Sequence, residues 1–167
     1  MPEPDKKSED IIQIINSAIS LQENGLPEIA FKKNIVDGPI MFEVDATMIS
    51  QALINLLKNA GESIASRMRK AESPNVLGQI KVIANLSGNF LKVSIVDNGL
   101  GLPEDRARLF EPYVTTRENG TGLGLAIVKK IIEEHGGTFR LEDAPQYQNS
   151  GIVGAAAIIE LPIYSVK

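Results

Sequence analysis

Apolar positions in this chain fall into two rhythms, a helical one at i, i+3 and i+4 and an alternating one, and the switches between them mark the elements. Ile11, Ile12, Ile15, Ala18 and Ile19 share one helical face and predict a helix over 8–24. Ser8 serves there as N-cap, Glu9 and Asp10 sit in the first turn, and Gly25 is the stop. Two strand-like runs follow, Ile29–Val36 and Ile40–Val44, joined by the turn Asp37-Gly38-Pro39. Asp45 then caps the longest helix, 46–70, whose arc is Met48, Ile49, Ala52, Leu53, Leu56, Leu57, Ala60 and Ile64. Beyond a polar loop, 79–86 and 90–96 alternate and form a hairpin across Ser87-Gly88-Asn89. Leu102–Asn119 holds a short helical piece over 104–110 and then a polar run. A helix over 122–135 ends at Gly136-Gly137, and strands 138–142 and 155–161 flank a polar turn over 145–151.

Such a mixture predicts an α+β two-layer sandwich, a mixed and largely antiparallel sheet covered on one face by helices. The 167 residues are 43% apolar, enough for a single core. With no cysteine, disulfides and thiolate metal sites are excluded. A net charge of −4, without a concentrated basic patch, argues against nucleic acid as a partner. No apolar run approaches the roughly 20 residues of a membrane span and no signal peptide is visible, which predicts a cytoplasmic domain. The polar start Met1–Lys7 reads as a linker, as in an excerpt from a longer protein.

The chemistry gathers in two glycine clusters, Asp97-Asn98-Gly99-Leu100-Gly101-Leu102 and Gly120-Thr121-Gly122-Leu123-Gly124. Glycines let backbone N–H groups approach a ligand, and the second cluster opens a helix whose orphan N–H groups and dipole suit phosphate. A Walker loop is excluded because no Gly-Lys pair occurs, and Gly120, Gly122 and Gly124 miss the Rossmann spacing and context. Asn55 and Asn59, four apart on the edge of the long helix near Gln51 and Glu62, are poor helix formers and call for a purpose.

Asn55-Leu56-Leu57-Lys58-Asn59-Ala60, Asp97-Asn98-Gly99-Leu100-Gly101, Leu109-Phe110-Glu111-Pro112-Tyr113 and Gly120-Thr121-Gly122-Leu123-Gly124-Leu125 resemble, in order and spacing, the N, G1, F and G2 boxes of sensor histidine kinases. The resemblance covers about residues 29–162 and places the chain in the GHKL ATPase superfamily with its Bergerat ATP-binding fold. Thr115-Thr116-Arg117 and the short lid are most similar to nitrogen-regulation kinases of the NtrY type.

The resemblance implies ATP and Mg²⁺ as ligands. Asn59 would hold the metal, with Asn55 a helper through water; Asp97 would accept a hydrogen bond from the adenine amino group, beside Gly99, Gly101 and Leu102. Gly120, Thr121, Gly122, Leu123 and Gly124 would wrap the phosphates, Thr116 and Arg117 would lie near them, and Tyr113 would cover base or ribose. Each position keeps a plainer alternative: Asp97 as a turn residue, Asn59 satisfying a buried backbone group, Arg117 as solvated surface, Tyr113 as core packing. Lys58 and Glu62 read as solvent-facing.

The resemblance also implies what lies elsewhere. The phosphoacceptor histidine of such a kinase sits on a helical dimerisation domain, which this sequence does not contain; its only histidine, His135, reads as a helix C-terminal residue favourable with the dipole if protonated. Residues 1–28 would be linker and connector helix, and 29–167 the catalytic domain. The domain would be monomeric, its parent a homodimer serving a response regulator, with an inner-membrane anchor open to it. It would bind ATP without autophosphorylating alone. Related hydrolases carry Glu where Asn55 stands, which favours kinase chemistry. The other readings are a degenerate nucleotide-binding regulatory module and a serine-directed kinase of the same superfamily. Two departures touch the adenine side: Ser63 stands where an aromatic residue is common, and Gly154-Ala155-Ala156 replaces a Gly-x-Thr.

Overall fold

The structure is a computed structural model that describes residues 2–70, 75–104, 106 and 124–163. In chain order the elements are β1 (Lys7–Asp10), α1 (Ile11–Gly25), β2 (Ala30–Ile35), β3 (Met41–Val44), α2 (Ala46–Arg69), β4 (Gln79–Ser87), β5 (Phe90–Asp97), α3 (Gly124–Glu134), β6 (Thr138–Asp143) and β7 (Ala155–Pro162). Five strands form one sheet in the order β2-β4-β5-β7-β6, parallel only between β2 and β4. The α+β sandwich read from the sequence is therefore the observed architecture.

Alternation decides which face of the sheet is covered. Ile80, Val82 and Ala84 on β4 and Leu91, Val93 and Ile95 on β5 are buried, while Lys81 between them is exposed. Against this face α2 lays the arc that its periodicity predicted, from Met48 to Ile64. Its N-cap is Asp45, whose Oδ1 accepts the Met48 N–H at 3.1 Å. Beside it, α3 packs on α2 and β6, burying Val128, Ile131 and Ile132. The Gly136 N–H bonds the Glu133 carbonyl and the Gly137 N–H the Ile132 carbonyl, which closes α3 in a Schellman cap with Gly136 at φ +76.

The N-terminal region differs from the sequence expectation. The helix starts at Ile11 rather than Ser8, because residues 7–10 pair antiparallel with β3 in a separate two-stranded sheet. The cap is Asp10, whose Oδ1 accepts both the Ile12 N–H (3.1 Å) and the Ile40 N–H (3.0 Å). Glu9 and Asp10 thus precede the first turn. Nor do the runs around Asp37-Gly38-Pro39 pair with each other: β2 joins the large sheet beside β4, and β3 joins β1. Ile11, Ile12, Ile15, Ala18 and Ile19 of α1 enter the same hydrophobic cluster as α2 and the sheet. At about 1.5–3 kcal/mol per large buried apolar side chain, that face makes α1 part of one packed unit. Of the expected short helix over 104–110, residues 105 and 107–110 lie outside the described residues.

Candidate functional site

Three elements converge at one end of the sheet: the edge of α2, the turn leaving β5, and the start of α3. Side chains four apart on a helix stack along one edge, so Asn55, Asn59, Ser63 and Arg67 form a polar row. Asn55 and Asn59 are half-buried, whereas Ser63 and Arg67 are buried; Lys58 and Glu62 are exposed, as expected.

Asn59 faces α3. A Cβ built on Gly124 would lie 3.9 Å from Asn59 Nδ2 and 4.0 Å from its Oδ1. Nδ2 is buried and has no hydrogen-bond partner among the described residues. Leaving such a group unsatisfied costs about 1–3 kcal/mol, so its placement calls for a function beyond the packing of the fold. No described backbone group takes a hydrogen bond from Nδ2. Helix α3, as described from Gly124, carries no acidic residue in its first turn.

Asp97 closes β5 and is 8% exposed. Its Oδ1 accepts the Gly99 N–H at 2.9 Å and the Ala155 N–H at 3.3 Å, which fixes the carboxylate in an Asx-type turn braced from β7. Both neighbours approach too closely for a side chain. A Cβ on Gly99 would collide with Ser63, and one on Gly154 with the Asp97 carbonyl oxygen. Gly101 (φ +83) and the half-buried Leu102 continue the turn, and Leu100 is exposed.

The departures on the adenine side acquire definite roles. Ser63 Oγ accepts the Leu100 N–H at 2.9 Å and so holds the turn itself. At 154–156 the backbone N–H of Ala155 reaches Asp97 directly. Sequence reasoning missed Arg67 and the side chain of Asn98. Arg67 Nε donates to the Asn98 carbonyl (2.6 Å) and Nη2 to the Val76 carbonyl (2.9 Å). Asn98 Oδ1 accepts the Gln79 N–H (2.8 Å) while Nδ2 donates to the Leu77 carbonyl (2.9 Å). The signal available was the i+4 step from Asn59 to Ser63 to Arg67.

His135 stands at the C-terminal end of α3, as expected, and is buried there as a cap residue: Nδ1 donates to the Ile131 carbonyl at 2.8 Å, and Nε2 accepts the Asp45 N–H at 3.0 Å. That pattern requires the neutral Nδ1–H ring, so its role is to join α3 to the cap of α2. Asp45 also takes the Asp5 N–H on Oδ2 (2.8 Å). Backbone hydrogen bonds, first from Asp5 and then from Met48, hold its carboxyl below the ordinary value of 3.8. Tyr113, Thr116, Arg117, Gly120, Thr121, Gly122 and Leu123 lie outside the described residues.

The model of the histidine kinase-, DNA gyrase B- and HSP90-like ATPases matches residues 44–165. The chain belongs to that ATPase family. Within it, the relatives are sensor histidine kinases. The nitrogen regulation protein NtrY of Azorhizobium caulinodans is 49% identical over 156 residues, covering 91% of this chain and 19% of NtrY. The sensor histidine kinase ZraS of Escherichia coli is 35% identical over 135 residues, covering 79% of this chain and 27% of ZraS. This chain therefore spans roughly a fifth to a quarter of the curated relatives it matches. The nucleotide-free catalytic domain of histidine kinase ThkA superposes with a TM-score of 0.75 at 30% identity, over 95% of this chain and 97% of that one. The mycobacterial sensor histidine kinase MprB gives a TM-score of 0.76 at 26% identity, over 94% and 97%. The family and the fold expected from the four boxes are thus met, and the chain corresponds to the catalytic, ATP-binding part of these kinases. Among the described residues no helix is long and apolar enough to cross a membrane.

Proposed function

We propose that this chain binds Mg-ATP between Asp97, Asn59 and the start of α3, and presents the γ-phosphoryl group to a histidine on a separate helical dimerisation segment of its parent. The observation that carries the reading is the buried Asn59 Nδ2, a donor without a partner among the described residues, beside Gly124 at the end of α3 suited to an anion. Asp97 accepts the adenine amino group, and Gly99, Gly101 and Leu102 flank the base. Gly120–Gly124 meet the phosphates with backbone N–H groups, together with Thr116 and Arg117, and Tyr113 covers base or ribose.

The donor set fits a small hard cation: the amide oxygen of Asn59, with Asn55 reaching through water, suits Mg²⁺, which keeps much of its hydration shell. When bound, the ion neutralises charge on the phosphate oxygens. In the transfer the bond between the γ-phosphorus and its bridging oxygen breaks, a P–N bond forms to the acceptor imidazole, and ADP leaves. Asn55 supplies no carboxylate to activate water, which favours this transfer over hydrolysis.

Helix α1 connects to the dimerisation segment, and the parent is a homodimer, anchored in the inner membrane, that passes phosphate to a response regulator. ThkA has been seen in complex with the response regulator TrrA, at 28% identity to this chain and a TM-score of 0.71. Calorimetric titration with ATP and GTP, with and without Mg²⁺, tests the site. ATP binding strengthened by Mg²⁺ and much weaker binding of GTP are expected, and no ATP binding under either condition overturns the reading. Incubating the parent protein with γ-labelled ATP tests the transfer: acid-labile label on histidine is expected, and label on serine selects the serine-directed alternative.

A further inference from the structure

The proposed site uses the first half of the polar row on α2, Asn55 and Asn59, and leaves Ser63 and Arg67 without a task. Arg67 is the more costly of the two. It is 4% exposed, and burial pushes its pKa down from the usual guanidinium range. A buried charge is kept only where its donors are well met. Here Nε is met by the backbone of the turn that carries Asp97 and Nη2 by the Val76 carbonyl in the loop before β4.

That turn is tied on both sides of Gly99. On one side Arg67 Nε holds the Asn98 carbonyl at 2.6 Å, and Nη2 ties the same guanidinium to the Val76 carbonyl at 2.9 Å. On the other, Ser63 Oγ holds the Leu100 N–H at 2.9 Å. The N–H between them, on Gly99, bonds Asp97 Oδ1 at 2.9 Å, so the position of Gly99, with the Ala155 N–H on the same oxygen at 3.3 Å, helps to place the carboxylate. Asn98 adds its own clamp to Leu77 and Gln79.

We infer that Arg67 is a positioning residue for base recognition: through Asn98 and Gly99, and with Ser63 as its counterpart, it presets the Asp97 carboxylate before nucleotide arrives. The inference rests on the nucleotide reading above, and deepens it by naming what sets the choice of adenine. A planar guanidinium spans two carbonyls at fixed angles, which an ammonium cannot do.

The test compares wild type, Arg67→Lys and Arg67→Met by displacement of a fluorescent nucleotide with ATP and with GTP, alongside thermal unfolding. Arg67→Met should lower the ratio of ATP to GTP affinity by about tenfold or more, and Arg67→Lys should restore part of it. A merely structural arginine would weaken both nucleotides by one factor or neither, and either result overturns the inference. Amide hydrogen exchange of the nucleotide-free wild type decides the matter even where Arg67→Met fails to fold. Gly99 and Leu100 should be protected, and exchange at open-chain rates would overturn the preset turn. Failure of the wild type to bind ATP is a different result: it removes the nucleotide reading while protection at Gly99 still reports on the clamp.

Discussion

The Ala155 N–H reaches Asp97 Oδ1 at 3.3 Å across a sequence separation of 58 residues, so the end of β7 braces the carboxylate that closes β5. This contact depends on the residue before it. A side chain on Gly154 would enter the Asp97 backbone, where the nearest carbonyl carbon would lie 2.7 Å from the new Cβ. Gly154→Ala should therefore cost about 1–3 kcal/mol of stability through overpacking. It should also weaken ATP by about tenfold or more, because the carboxylate moves. Thermal unfolding and calorimetry check the two parts, and unchanged ATP affinity would contradict the second.

Asn59 predicts the opposite pairing of effects. Its buried Nδ2 has no partner among the described residues, so Asn59→Ala removes an unsatisfied group and should leave nucleotide-free stability within about 1 kcal/mol of wild type, or raise it. ATP binding should at the same time lose its dependence on Mg²⁺. Denaturant unfolding without nucleotide, and titration with and without Mg²⁺, measure the trade. A large loss of nucleotide-free stability would return Asn59 to a structural role.

Asp45 gives the acid side of the stability curve a definite sign. Its folded carboxyl titrates below 3.8, held there by the Asp5 and Met48 N–H groups, so the folded state binds fewer protons than the unfolded state. The stabilisation is complete above that ordinary value and is lost as pH falls through the lowered folded one. Asp45→Asn should flatten the fall in melting temperature below about pH 4, while losing little at pH 7 beyond the charge. Melting curves of both proteins from pH 7 to about pH 2.5 check it. Parallel acid limbs would remove Asp45 as their cause.

His135→Phe keeps a ring in the buried space but deletes the acceptor for the Asp45 N–H and the donor to Ile131. One orphaned backbone N–H in a part-buried position should cost about 1–3 kcal/mol. Because the contact joins α2 to α3, amide exchange should quicken at the Asp45 end of α2 before it quickens on β5. Equal exchange at both places would mean that the fold loosens as a whole.

How much of this was legible in the sequence follows from how local each cause is. The arc of α2, the hairpin of β4 and β5 and the Gly136-Gly137 stop are written in neighbouring residues, and they stand where the pattern placed them. β1 is not: Lys7 to Asp10 have no apolar rhythm, and their strand exists only because Met41 to Val44 lie opposite. The parallel placement of β2 beside β4 is non-local in the same way. In the site, Asn59 and Asp97 carry the unusual chemistry of their positions on their face. Arg67 does not, since an arginine late in a long helix shows its burial only through its i+4 place in the row from Asn59 and Ser63. Ser63 was read for the ring it lacks, whereas its hydroxyl is what the Leu100 N–H uses.

The contact between His135 and Asp45 also has a mechanical meaning. It fastens the tail of α3 to the head of α2, while Gly124 at the other end of α3 stands beside Asn59. Two antiparallel rods joined at one end behave as a pair of tongs: their separation changes least at the rivet and most at the jaws. Here the far end is where Asn59 and Gly124 meet, so the rivet fixes the register of α3 along α2 and, through it, how Gly124 stands against Asn59.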